Sequence, residues 1–307
     1  MSSLALAVVA AASAQAPPPR TFNVGVEGVY VDVFVTDGNR PVVGLTAADF
    51  ELKDNGARQP LELVAVESLP MTTFLVLDTS GSVAGEKLAR LQAAARALLG
   101  GLRPGDEAAL VTFDQEIHLR VPPTSDRARL DRGVGGLLPG GATALHDALY
   151  AGALLASGRG RSLLVLFTDG EDNLSWLGAA EVRQVLLESN ALVQVVGIVP
   201  RQDREFDTRA LRAPSLFSER PPDEPAHVRT LRHLAEVTGG RFWSATSPDT
   251  LAQAFLAILD AMKTRYVLRF EPDRAGREGL HELEVTLTRR AGKVHCRKAY
   301  FVGPSAP

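Results

Sequence analysis

Residues 72–88, TTFLVLDTSGSVAGEKL, decide the fold. Thr73, Phe74, Leu75, Val76 and Leu77 form an unbroken apolar or β-branched run, the pattern of a short strand buried on both faces in a parallel sheet. Asp78 then stands at the strand's C-terminal end, where open α/β sheets place their ligands. Gly81 and Gly85 allow a tight turn into the helix that follows. Asp78, Ser80 and Ser82 alternate, so one loop could aim all three oxygens at one point. Oxygen donors alone suit a hard divalent cation such as Mg²⁺. Taken by itself, DTSGS reads equally well as a polar turn with Ser82 capping the helix.

Outward from this stretch, strand and helix alternate. Residues 84–100 place Leu88, Leu91, Ala95, Leu98 and Leu99 on one side of a helix. Residues 107–113 and 116–121 are strands close enough to pair as a hairpin. A Gly-rich loop, LLPGGATALHDAL (137–149), leads into a helix, and SLLVLFTDG (162–170) is a second buried strand ending in Asp169. A helix near 178–189, a strand at 191–199 and a helix–strand–helix unit over 227–263 complete the series. This alternation predicts an α/β fold with a doubly wound, mostly parallel sheet over residues 71–263. Residues 200–226, rich in proline and charge, read as an inserted surface loop.

The flanks are β in character. Residues 20–70 contain the alternating VYVDVFVTD (29–37), a turn at DGNRP and an Asn-Gly turn signal at 55 and 56, which predicts a small β module. After 264, RYVLRFEP, LHELEVTLTRR and KVHCRKAYFV read as three strands. Neither flank has enough strands to bury two faces alone, so residues 264–307 are expected to pack with the N-terminal module. Residues 1–16 combine the apolar LALAVVAAA with a small-residue AQA ahead of PPPR, the pattern of a secretory leader. No Lys or Arg precedes Arg20, so the basic opening of such a leader is missing, and an Ala-rich tail is the alternative. The apolar run is shorter than the roughly 20 residues that span a bilayer.

At 307 residues the chain has room for about two domains. With 45% hydrophobic and 22% charged residues it has the composition of a globular protein, and a net charge of −3 offers no basic field for nucleic acid. Cys296 is the single cysteine, which excludes an internal disulfide, a cysteine-based zinc site and a CxxC redox pair.

Three separated pieces carry a resemblance. Asp78, Ser80 and Ser82 in DTSGS, Thr143 in GGATAL and Asp169 in FTDGEDN match the pattern of a von Willebrand factor A-type (VWA) domain over about 72–263. The resemblance implies a metal-ion-dependent adhesion site. Ser80, Ser82 and Thr143 would bind Mg²⁺ (or Mn²⁺ or Ca²⁺) directly, and Asp78 and Asp169 partly through water. A protein partner would supply an Asp or Glu as the last ligand. The flanks, with GL-T-DF and DNG before the core and YVLRFEP after it, resemble the bacterial secreted VWFA-related family of acidobacterial type. That likeness implies export.

Enzymatic alternatives lack their residues. Phosphatases of the haloacid dehalogenase type need a second Asp two positions after the first, where this chain has Ser80. No GxxxxGK[ST] loop occurs, DTSGSV lacks the GxSxG elbow, and the six histidines show no HExxH spacing. His118 and His146 read as surface or loop residues, and Glu171 and Asp172 as solvated loop acids or first-turn acids of the next helix rather than ligands. The expected function is a secreted or periplasmic, non-enzymatic, Mg²⁺-dependent protein-binding module without a membrane span. The alternative is an assembly or regulatory subunit of an envelope complex.

Overall fold

Alternating valines build the first strand of the computed structural model, which describes residues 28–38, 40–66, 69–198, 224–245, 247–272 and 278–302. In β1 (Val29–Asp37) the side chains of Val31, Val33 and Val35 point into one core, and Asp32 and Phe34 point the opposite way. Short strands follow: β2 (Arg40–Pro41), β3 (Phe50–Asp54), β4 (Ala57–Gln59) and β5 (Glu62–Val64). Asn55 and Gly56 both take positive φ, 47° and 80°, as the turn joining β3 to β4 requires.

The apolar stretch becomes β6 (Met71–Asp78), followed by α1 (Glu86–Gly100), β7 (Glu107–Phe113), β8 (Ile117–Thr124), α2 (Arg127–Gly135) and α3 (Leu145–Ala156). Then come β9 (Arg161–Thr168), α4 (Ala179–Ser189), β10 (Leu192–Ile198), α5 (Ala226–Val237), β11 (Arg241–Ala245) and α6 (Leu251–Lys263). Six strands form one sheet in the order β11-β10-β9-β6-β7-β8. Five run parallel, and β8 closes one edge antiparallel to β7. Leu75 and Leu77 of β6 pack with Leu91 and Leu98 of α1, Leu130 of α2 and Phe255 of α6. Phe74 and Val76 face the other way, toward Leu149 of α3, Val182 of α4 and Leu231 of α5. Burial on both faces explains the unbroken apolar run of residues 73–77. Helix α2 was not expected: its sequence RARLDRGVG is mostly charged and buries Leu130 and Val134 alone.

The C-terminal segment returns to β structure with β12 (Tyr266–Phe270), β13 (Gly279–Leu287), β14 (Lys293–His295) and β15 (Ala299–Val302). The expected single strand over KVHCRKAYFV is therefore two. β14 pairs with β1 and β15 with β13, so the chain crosses between sheets at Cys296–Lys298. One antiparallel sheet has the order β14-β1-β12-β5, with β2 beside β1, and the other the order β15-β13-β3-β4. Each contains strands from both ends of the chain. Their shared core includes Val31, Val33, Val35, Leu52, Leu268, Phe270, Leu283, Val285 and Tyr300. The central sheet is thus mixed, five parallel strands with one antiparallel edge, and the two flanking sheets are antiparallel. The expected leader at 1–16 and nearly all of the expected insertion, from 200 to 223, lie outside the described residues. Among the described residues no helix is long and apolar enough to cross a membrane.

Candidate metal site

Strands β6 and β9 are parallel neighbours in a register that sets Leu77 opposite Phe167, so their C-terminal ends emerge side by side. Asp78 ends the first and is fully buried. Its Oδ1 accepts from the backbone N–H of Ser80 at 2.9 Å, and its Oδ2 from the Thr168 hydroxyl at 2.8 Å. Burial pushes the Asp78 carboxyl above the usual carboxylate range; the Ser80 and Thr168 hydrogen bonds oppose this, and the charge of Asp169 adds to it. No sequence pattern marks Thr168, although it immediately precedes Asp169 at the strand end.

A single 3₁₀ turn, Gly81–Val83, carries the chain away from β6. Ser80 precedes this turn without capping it, and the residue that caps α1 is Gly85 at φ 74°, not Ser82. Both serine hydroxyls are left to the site. Ser80 Oγ lies 3.1 Å from Ser82 Oγ, and Ser82 Oγ donates to Asp169 Oδ1 at 2.7 Å. The second oxygen, Asp169 Oδ2, accepts from Lys87 Nζ at 2.6 Å, and the same ammonium donates to the Ser82 carbonyl at 3.0 Å. Lys87 is the second residue of α1.

Thr143 arrives on the Gly-rich loop, which backbone bonds fasten at both sides. Gly140 N–H donates to the Thr79 carbonyl at 2.8 Å, and Gly81 N–H to the Gly141 carbonyl at 3.0 Å. Gly141 has φ +76°, a backbone conformation that favours glycine, and a Cβ there would come within 2.6 Å of Gln115 Oε1, so that side chain would have to shift. Asn173 Oδ1 accepts from Thr143 N–H at 2.8 Å, while the Thr143 carbonyl accepts from the N–H groups of Asn173 and Leu174. Asp172 corrects the sequence reading. It is no solvated acid, because its Oδ1 accepts from Leu145 N–H at the start of α3 at 2.9 Å and from the Ser175 hydroxyl at 2.5 Å. Its other oxygen lies 3.2 Å from His146 Nδ1. Glu171 stays exposed, with His227 Nδ1 at 2.8 Å.

Hydrogen bonds therefore join Asp78, Ser80, Ser82 and Asp169 into one cluster. Thr143, buried at 5% exposure, is held beside them by its backbone; its hydroxyl takes no part in those bonds among the described residues. Three hydroxyls and two carboxylates form an all-oxygen donor set, and a hard divalent ion with one or two carboxylates and retained water fits it. A cluster of three or more His, Cys, Asp or Glu side chains able to hold a metal is absent among the described residues. A metal here would depend on hydroxyl ligands.

Comparison with known proteins bears on the fold that carries these residues. Residues 73–171 match the von Willebrand factor type A domain family. This part of the chain is a VWA domain. A curated relative, a UPF0353 protein of Mycolicibacterium paratuberculosis, is 22% identical over 232 residues, covering 69% of this chain and 66% of the relative. A von Willebrand factor type A structure from Catenulispora acidiphila superposes with a TM-score of 0.51 at 15% identity, over 90% of this chain and 74% of that one. At that coverage the likeness of fold reaches beyond the VWA domain into the flanking sheets. The vWF domain of the type V pili tip protein Mfa5 from Porphyromonas gingivalis aligns with a TM-score of 0.47 and 14% identity, over 63% of this chain and 95% of that one.

Proposed function

We propose that the protein is an exported binding module in which Asp78, Ser80, Ser82, Thr143 and Asp169 hold Mg²⁺ and the metal in turn holds a carboxylate of a protein partner. The observation that carries this reading is the hydrogen-bonded run from Ser80 through Ser82 to Asp169, with Asp78 behind it, at the ends of adjacent parallel strands. When bound, Mg²⁺ would supply a Lewis-acidic position for an anionic ligand. The protein's share is positioning: the β6 and β9 ends fix the two carboxylates, and the fastened Gly-rich loop sets Thr143 beside the serines. Such a donor set serves binding, and turnover is not part of the proposal. Export, and membership of the VWFA-related group, rest on the apolar residues 4–12, the AQA at 14–16 and the flanking β patterns.

Thermal unfolding in Mg²⁺ or EDTA tests the site, with capture of envelope proteins in the same buffers testing the partner. An ion at one hundred times its dissociation constant stabilises by about 2.7 kcal/mol. For a chain of this size that corresponds to roughly 5–10 °C in melting temperature. Asp78→Asn keeps the shape and removes a buried charge, so it is expected to fold as well as wild type in EDTA and to lose both the Mg²⁺ response and the capture. A wild-type melting temperature that ignores millimolar Mg²⁺ would sink the metal reading.

A further inference from the structure

We propose that Lys87 is a built-in counter-cation of this site: in the metal-free protein its ammonium holds Asp169, and a divalent ion must displace it. The inference rests on the metal reading above. Asp169 has a side chain only 1% exposed, and both its oxygens are engaged, one by the Ser82 hydroxyl and the other by Lys87 Nζ. A carboxylate so far from water needs a compensating charge, and Lys87 supplies it at 2.6 Å. The same ammonium takes the Ser82 carbonyl at 3.0 Å, so it sits against the residue whose hydroxyl would ligate the metal. Lysine suits this role. Its compact charge rides on a flexible four-carbon stem, and the side chain is 39% exposed, so the head can swing into water without disturbing α1. Arginine's planar fork would hold the carboxylate more rigidly. The site would then trade one cation for another. Metal-free protein keeps Asp169 in place for loading, and metal affinity is set below what the oxygen donors alone would give.

The test is titration of wild type and Lys87→Met with Mg²⁺ by calorimetry, beside the rate at which Lys87 is reductively methylated, read by mass spectrometry. Removing a unit positive charge from within a few ångströms of a dication is expected to tighten Mg²⁺ binding about tenfold or more. In EDTA, Lys87→Met should melt below wild type, because Asp169 then lacks its partner. In wild type, saturating Mg²⁺ should speed methylation of Lys87 while other lysines keep their rates. Equal Mg²⁺ affinity in the two proteins overturns the role of Lys87 and leaves the metal site standing. Tighter binding without a change in Lys87 methylation overturns displacement. If neither protein binds Mg²⁺, the metal reading falls and takes this inference with it.

Discussion

Deleting residues 264–307 is expected to unfold the β module at the other end of the chain. The deletion removes β12 from between β1 and β5, β14 from the end of β1 and β13 from β3. What remains is β1 with the two-residue β2, and the β3–β4 hairpin, and isolated ribbons of that kind are marginal in water. The shared core also loses Leu268, Phe270, Leu283, Val285, Cys296 and Tyr300. At roughly 1.5–3 kcal/mol for each large apolar side chain, the loss is on the order of 10 kcal/mol, as large as the stability of a whole domain. Limited proteolysis of the truncated chain should cut within 28–66 under conditions in which the full chain resists. A truncated protein with 28–66 still protected would mean that the N-terminal strands find another partner.

What the sequence made legible follows from which interactions are local. Strands β6 and β9 stood out because burial on both faces demands continuous apolar runs, and their closing aspartates followed directly. The Asn55-Gly56 turn was legible because few residues accept positive φ at two successive positions. Helix α2 was hidden because two apolar residues four apart, Leu130 and Val134, are all that it buries, and its cap, Asp126 accepting from Arg129 N–H, lies in an otherwise charged stretch. The break between β14 and β15 was hidden for a different reason. KVHCRKAYFV has strand propensity throughout, and the interruption comes from distant partners: Arg297 reaches Asn190 and the Leu187 carbonyl and bridges to Thr238. The same division holds at the site. Asp78, Ser80 and Ser82 declare themselves by alternation within five residues. Lys87, Thr168 and Asp172 act through contacts across the sheet or between loops, and no spacing announces those.

The junction between the β module and the VWA domain carries the other large effect, at Asp32. This residue points out of β1 away from the valine core, and its carboxylate takes Arg161 of β9 in a forked pair, with Nε 3.1 Å from both oxygens and Nη2 2.5 Å from Oδ1. The two side chains are 6% and 15% exposed, so water screens the pair little. Burial pulls the Arg161 guanidinium down, and the charge and hydrogen bonds of Asp32 more than reverse it. Two further buried guanidinium groups feel the same carboxylate. Burial brings Arg265 and Arg297 down to about 10, and Asp32 opposes the fall in both. Removing Asp32 therefore leaves a buried cation unpaired and takes a favourable charge from two more. Breaking a buried pair by deleting one partner costs about 3–5 kcal/mol. Asp32→Asn keeps the volume and some hydrogen bonding, so whatever stability it loses reports the charge. Urea unfolding should place Asp32→Ala in that range, with Asp32→Asn not far behind. The double variant Asp32→Ala, Arg161→Met should recover part of the loss, because the uncompensated guanidinium has gone with its partner. If Asp32→Asn unfolds within about 0.5 kcal/mol of wild type, the junction is held by packing around Phe34 and the carboxylate contributes little.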